Sequence, residues 1–457
     1  MTETTTRKPI VGAPPATPSV SHMAPQMAPH TSPCSPHPAH VLVVTLGTAG
    51  DVFPFIAVGR ALRQRGHRVT LLAAQHFEAA VLQAGLDFHA LFSKDETDAM
   101  LSNPLLWHHI KGFSAAWLAQ SAALQRLPDL VAALPAEAPC VLLVHPGAAP
   151  AAALARARRP GLRIVTAYLA PSNLRTCHDP LTMGYTPVPR WMPMWLRAAL
   201  WRLAEATTVD PVVMPTLNRA RGALGLAPLS RFWDHMMDTA DASVALFPAW
   251  YGPTQPDWPR PFAHAGFQLY DPQAEAPLPE ALQAFLAAGD APIVFTPGTG
   301  YQHGTAYFAA ALSAVKALGR RAIFLTPHRD QVPAQLPDSV LWQSFLPLRA
   351  LLPHAAALVY HGGIGTLAEA LRAGVPQLLV PCAHDQFDNA QRIHALGAGQ
   401  ILHMRSLRAD TLRAALAGLL ASGETRARCG ELAARLAGEP SAAVVCELVE
   451  EQVRQSA

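Results

Sequence analysis

Tyr360-His361-Gly362-Gly363-Ile364-Gly365-Thr366-Leu367-Ala368-Glu369, then Gly374-Val375-Pro376 and Asp385-Gln386, are the residues whose types and spacing point most directly to chemistry. Residues 357–359 form an apolar run that reads as a buried strand, and 367–373 have helical composition. The glycines therefore fall in a strand-to-helix turn. Such a turn suits phosphate. Glycine lets the backbone approach the ligand, the free N–H groups of the first helical turn point at it, and the helix dipole favours negative charge. His361 and Thr366 add a ring donor and a hydroxyl. A capping box, Thr366-x-x-Glu369, in which both side chains serve only the helix's own N–H groups, is the competing account. The second cluster favours a ligand, because Asp385 and Gln386 follow another apolar run, 377–380, closed by Pro381. Two loops at neighbouring strand ends then face one crevice.

The elements that position these groups alternate between strand and helix. Residues 41–46 read as a buried strand that passes through Gly47-Thr48-Ala49-Gly50-Asp51 into an amphipathic helix over 52–65 and a second strand at 69–73. This is a βαβ unit, whose connection is right-handed. Later strands are expected at 140–144 and 164–169. A second series opens at 292–296, running into Pro297-Gly298-Thr299-Gly300, and continues with 322–326. Gly47-x-x-Gly50 lacks the acidic residue expected at the end of the second strand, so the loop is not read as a dinucleotide site. Asp51, with Pro54 three residues on, has the look of a helix N-cap. It also sits where a strand end meets the crevice, where a carboxylate can accept a proton.

Composition bounds the rest. At 457 residues, half of them hydrophobic and 15% charged, the chain is long enough for two or three domains that each bury a core. A net charge of +3 does not argue for nucleic acid as a partner. Six scattered cysteines lack the spacing of a zinc site or a disulfide framework, and a reducing cytoplasm is the expected setting. No run approaches the ~20 apolar residues of a spanning helix. Residues 1–39, rich in Pro, Ala and Ser, are expected to be a disordered tail. The expected organisation is then 40–252 as an acceptor-binding Rossmann-like domain, 253–265 as a proline-punctuated linker and 266–437 as a donor-binding Rossmann-like domain. Residues 438–457 are expected to form a terminal helix that packs back. The middle of the chain, 181–258, is dense in Trp, Met and Pro, including Trp191 and Trp195; core packing and an adaptable acceptor tunnel both use such residues.

The order His361-Gly362-Gly363-x-Gly365-Thr366-x-x-Glu369, Gly374-Val375-Pro376, Asp385-Gln386 and Asn389 resembles the donor-binding signature of the family-one glycosyltransferases, in the form of bacterial members. The resemblance implies the GT-B fold: α/β, with two Rossmann-like domains facing a cleft. It also implies site roles. His361, Gly363, Gly365 and Thr366 would hold a diphosphate, joined by Gly298 and Thr299 from the first loop of the donor domain. Glu369 would take a ribose hydroxyl, and Asp385 with Gln386 the sugar hydroxyls. Phe345, two residues before Pro347, falls where a base-stacking tryptophan stands in plant members, with Trp342 as rival. Gly50-Asp51-Val52-Phe53-Pro54 matches the segment that faces the acceptor, making Asp51 the catalytic base; Phe53 beside it, and Trp191 and Trp195 of the Trp-rich middle, are the candidate acceptor contacts.

Within that family, Gly50-Asp51-Val52-Phe53-Pro54-Phe55-Ile56, Leu246-Phe247-Pro248-Ala249-Trp250 and the run from Pro381-Cys382-Ala383-His384 to Asp388-Asn389-Ala390 resemble the rhamnosyltransferase catalytic subunits of rhamnolipid synthesis. That likeness implies inverting transfer from dTDP-L-rhamnose to a 3-(3-hydroxyalkanoyloxy)alkanoate. It requires no cofactor beyond the donor. With no Asp-x-Asp pair, no metal is expected, and His361, the 363–366 amides and the Thr299 loop would stabilise the leaving diphosphate. His384 is a further donor-site candidate. A lipidic acceptor implies work at the inner face of a membrane, or beside a membrane-bound partner subunit. Two other readings remain open: glucosyl transfer to a sterol or polyketide, and a non-catalytic module that binds a nucleotide sugar.

Overall fold

The computed structural model describes residues 1, 38–135, 140–182, 184–272, 277–439 and 442–456. Nearly all of the expected N-terminal tail lies outside these residues. Two parallel sheets organise the described chain. The first runs β3-β2-β1-β4-β5-β6-β7, made of β1 (His40–Val44), β2 (Arg68–Ala74), β3 (Asp87–Phe92), β4 (Cys140–Val144), β5 (Arg163–Tyr168), β6 (Ala242–Ala245) and β7 (Phe262–His264). The second runs β10-β9-β8-β11-β12-β13, made of β8 (Ile293–Thr296), β9 (Ala322–Leu325), β10 (Val340–Gln343), β11 (Ala357–Tyr360), β12 (Gln377–Leu379) and β13 (Gly399–Ile401). These are the two Rossmann-like domains of a GT-B architecture.

Strand composition explains the layering. β1, β4, β8 and β11 are almost wholly apolar and buried, as parallel strands covered by helices on both faces must be. Alternate residues serve opposite faces. Ile293 and Phe295 join one apolar cluster, while Val294 between them joins the other. One expectation changes: β7 pairs with β6, so the first sheet extends into the segment read as a linker. The prolines before it read as a break between domains, but the chain they interrupt returns to the sheet edge for three more residues.

In each sheet the strand order reverses once. The chain leaves β1 for β2 and β3, then returns to place β4 on the other side of β1; β8 and β11 repeat the pattern. Crevices open at such reversals, outside the carboxyl ends of the strands. Helix α1 (Ala49–Gln64) follows β1. The wall beyond it includes α2 (Gly112–Gln120), α3 (Met194–Ala204), α4 (Asp210–Gly222) and α5 (Phe232–Asp238). In the second domain α6 (Ile364–Ala373) follows β11 and α7 (Gln386–Ala395) follows β12.

The terminal helix α8 (Ala443–Arg454) lies on the first domain, packed against α1 and strands β4 to β6. Glu450 on it accepts a hydrogen bond from Arg65 at 3.0 Å, an ion pair largely shielded from solvent. The domains meet again beside the cleft. Asp388 on α7 pairs with Arg392 at 2.7 Å and accepts the Thr182 N–H at 3.0 Å, while Arg392 reaches Asp179 at 2.9 Å.

The tightest meeting is backbone on backbone. Gly50 in the first turn of α1 lies against Gly365 in the first turn of α6, so close that a Cβ on Gly365 would sit 2.9 Å from the Gly50 Cα. A Cβ on Gly50 would come no nearer than 3.5 Å, to the Gly365 nitrogen. The two substitutions should therefore differ. Gly365→Ala is expected to part the domains and lower turnover at least about tenfold, a consequence of misplacing reacting groups by under an ångström. Gly50→Ala should stay within about twofold of the parent. Steady-state rates beside thermal melting check this; equal effects would remove the contact as the determinant.

Candidate active site

A cleft of about 820 Å³ opens between the two strand reversals, and nearly every group singled out in the sequence lines it. Gly47 to Asp51 come from the end of β1, His145 from the end of β4, Gly298 and Thr299 from the end of β8, and His361, Gly363, Gly365 and Thr366 from the end of β11. Phe53, Phe345, Glu369, His384, Asp385 and Gln386 complete the set.

Asp51 is not the N-cap that its sequence suggests. Helix α1 begins at Ala49 with Thr48 as N-cap, placing Asp51 in the first turn, where its Oδ2 accepts the Thr48 N–H at 2.8 Å and the Thr48 hydroxyl at 3.3 Å. The carboxylate thus satisfies the end of its own helix and still lines the cleft. Burial raises it from 3.8 to about 6, against the lowering effect of the Thr48 bonds. Asp385 is raised further, to about 7, by burial first and then by the charge of Asp51. Two carboxylates facing one cavity push each other toward the neutral form.

The capping-box account of Thr366 and Glu369 does not hold, because α6 begins at Ile364 with Gly363 as N-cap. Thr366 is already inside the first turn. Glu369 pairs with Arg372 at 2.7 Å instead, and burial raises its carboxyl above the ordinary range. The N–H groups at the start of α6 face the cleft, as a phosphate site needs.

His361 is partly buried, and desolvation lowers its ring to about 4, so the imidazole is neutral at physiological pH. Its Nδ1 has no hydrogen-bond partner among the described residues. Gly298, at φ +97, lets the β8 loop cross over this ring; a Cβ there would lie 2.8 Å from it. An unpaired buried ring nitrogen in a cleft wall is a group held for a ligand.

The loop before α7 is held by its own side chains. Gln386, itself buried, lines the cleft, and its Oε1 accepts the N–H of Cys382 at 2.9 Å and of Ala383 at 3.0 Å. Asn389 donates to Asp385 at 2.6 Å and to the Gly362 carbonyl at 2.9 Å, and accepts the Tyr251 hydroxyl at 2.8 Å. It ties the two donor loops together. His384 stands in the loop at φ +54, rare for a residue with a side chain and typical of strained functional turns. It opens onto the cleft beside Trp107, and the surrounding protein lowers its imidazole to about 4.

Phe345 lines the cleft with 46% of its surface exposed, a flat ring available for stacking. Its rival Trp342 donates its indole N–H to the Thr326 carbonyl at 3.1 Å under the Arg329 guanidinium and does not line the cleft. Trp191 and Trp195 do not line it either; they stand outside on the surface. The apolar part of the cleft is walled instead by Phe113, Trp117, Trp201, Phe232, Trp233 and Met236. Trp201, Trp233 and Met236 belong to the Trp- and Met-dense middle of the sequence, whereas Phe113 and Trp117 lie outside it and reach Phe232 across more than a hundred residues. His145 was also missed, although it closes an apolar strand run as Asp51 nearly does, and that signal was available. Burial lowers it to about 4 as well.

The comparisons with known proteins agree with this geometry. Residues 41–142 match the glycosyltransferase family 28 N-terminal domain, and residues 311–452 match the erythromycin biosynthesis protein CIII-like C-terminal domain. The chain is 27% identical over 442 residues to the O-mycaminosyltylonolide 6-deoxyallosyltransferase of Streptomyces fradiae, covering 90% of this chain and 97% of that protein. It is 28% identical over 434 residues to the vancomycin aglycone glucosyltransferase of Amycolatopsis orientalis, covering 90% and 96%. Among solved structures, the glycotransferase of kitacinnamycin superposes with a TM-score of 0.69 at 23% identity, over 92% of this chain and all of that one.

The raised carboxyls carry a stability consequence. A group whose folded pKa lies above its unfolded value binds its proton more tightly when folded. The stability Asp385 contributes is present below about 3.8 and is lost as pH rises to about 7. Asp385→Asn removes that dependence, so the fall in Tm between pH 5 and pH 8 should be smaller in the variant. An unchanged Tm–pH slope, measured by differential scanning calorimetry, would refute the assignment.

Proposed function

This chain is a glycosyltransferase of the GT-B fold, and we propose that it moves L-rhamnose from dTDP-L-rhamnose to the hydroxyl of a 3-(3-hydroxyalkanoyloxy)alkanoate. The observation that carries the acceptor half is the division of the cleft. One part is polar, built from two helix starts and strand-end loops; the other is a chamber of Trp, Phe and Met side chains that suits flexible acyl chains. The sugar rests on the segments 50–56, 246–250 and 381–390 that resemble the rhamnolipid enzymes. A 6-deoxyallosyl group in the name of one relative is in keeping with it, since rhamnose is also a 6-deoxyhexose.

In the proposed mechanism the acceptor hydroxyl gives its proton to Asp51 as its oxygen attacks the anomeric carbon. The bond from that carbon to the diphosphate oxygen breaks with inversion, and its electron pair leaves with the diphosphate. The start of α6, the His361 ring and the 298–299 loop receive the leaving charge. Neutral imidazole donates one N–H without a fixed cation, stabilising the developing charge while leaving the product free to depart. Asp385 and the Gln386 amide face the sugar, and Phe345 the base. No cofactor beyond the donor enters.

The mechanism predicts that kcat/KM rises with pH through about 6 as Asp51 ionises. Asp51→Asn keeps an acceptor for the Thr48 N–H, so it should remain folded and bind donor while turnover falls about a hundredfold or more. Near-normal turnover in a folded variant would end the base assignment. The assay that tests the whole proposal offers dTDP-L-rhamnose and UDP-glucose, each with the lipid hydroxy acid, and reads product by mass. Rhamnosylated lipid from the thymidine donor alone is expected; glucosyl product alone would overturn the sugar.

A further inference from the structure

Helix α3 is oriented contrary to the usual rule for a helix on a water-facing surface. A surface helix turns its apolar stripe to the core and its charges outward. Here Met194, Trp195, Leu200 and Leu203 are exposed, Trp195 at 71% and Leu203 at 60%, and no residue of the helix is fully buried. Trp191, just before it, is exposed at 81%. Arg197 and Glu205 turn inward, while Arg202 stays exposed. The Arg197 guanidinium donates to the carbonyls of Cys177 and His178, and Glu205, at the start of the π-helical turn that follows, is buried with its Oε1 accepting the Trp201 indole N–H. Two nearly bare tryptophans on one short stretch form an apolar surface with no partner among the described residues.

Charge identifies the partner. Residues 180–204 contain Arg190, Arg197 and Arg202 and no acidic residue, and Arg190 and Arg202 are exposed beside the tryptophans. Tryptophan favours the headgroup level of a bilayer, arginine reaches past it to phosphate, and anionic lipid attracts the pair. No described helix is long and apolar enough to cross a membrane, so the attachment is to the surface. We propose that the face carried by Trp191, Met194, Trp195, Leu200 and Leu203 docks on an anionic lipid bilayer.

The other side of the same helix supplies the reason. Trp201 and Ala204, with Glu205 next in the chain, line the apolar chamber, and Ile110 and Phe113 are both exposed and part of its wall. With α3 seated in the headgroups, an acyl acceptor passes from lipid to cleft along continuous apolar surface. That route rests on the lipid-acceptor reading; the docking itself does not.

The test is flotation of the full chain with vesicles of phosphatidylglycerol and phosphatidylethanolamine, beside vesicles of phosphatidylcholine alone. Binding to the anionic vesicles, weakened by salt and accompanied by a blue shift of tryptophan emission, is expected. Trp191→Ser with Trp195→Ser should reduce it at least tenfold while thermal melting and dTDP binding stay as in the parent. Absence of flotation, or equal binding by the variant, overturns the proposal. A dimer in sedimentation that the variant dissolves would give the face to a second copy of the chain and overturn it too. Turnover of a short, water-soluble hydroxyacyl acceptor in vesicle-free buffer separates the two readings. Turnover without flotation removes only the docking, and flotation without turnover of either acceptor removes only the acceptor class.

Discussion

The contact of Gly50 with Gly365 brings two helix N-termini face to face, and much of the site follows from it. Each N-terminus carries about half a positive charge from its aligned peptides. Two such ends at van der Waals distance repel, and a protein that holds them together must place negative charge at the meeting. Asp51 in the first turn of α1 and Asp385 beside the first turn of α7 supply part of it. In the proposed reading a diphosphate supplies more. Donor binding and domain contact are then one electrostatic problem, and glycine at 365 is the steric condition for solving it.

In the proposed reading, three neutral imidazoles stand among the groups that meet that anion. His145, His361 and His384 are each lowered to about 4 by the surrounding protein, so at neutral pH these three imidazoles carry no charge. Arg349 lines the cleft beside Phe345, and further arginines stand in the Asp179–Arg392–Asp388 chain and the Glu369–Arg372 pair. Dipoles and N–H donors fixed by backbone geometry need no reorganisation as charge develops on the leaving group. The same environment that keeps imidazole neutral raises Asp51, so in the proposed mechanism burial serves base and leaving group together.

The parts of the site that lie at strand ends were legible in the sequence, because a glycine turn between an apolar run and a helix is a local pattern. His361 to Glu369 and Gly47 to Asp51 stand where that pattern puts them. Helix starts were less legible. Thr48 caps α1, with Asp51 as the third helical residue in its capping box, and Gly363 caps α6 three residues before Thr366 although glycine offers no side-chain oxygen. Side chains brought together only by tertiary packing left no pattern at all. The chamber wall takes Phe113, Trp201 and Trp233 from three helices, while Trp191 and Trp195, alike in composition, fall outside it. Composition marked the region; only the fold separates wall from surface.

That separation bears on how one helix can serve two solvents. Along α3 and the turn after it, Trp201, Ala204 and Glu205 face the chamber, and Trp195, Leu200 and Leu203 face away. Residues three and four apart share a face, so a helix apolar on both sides normally sits in a core. Here the inner side is mixed, with Glu205 and Arg197 anchored to indole and backbone carbonyls, which fixes the helix in register without burying it. The π-helical turn Glu205–Val209 then shifts the phase of the helix by about one residue. Beyond it, Val213, Met214 and Leu217 of α4 are buried. A continuous helical path thus presents apolar residues outward before residue 205 and buries them after it.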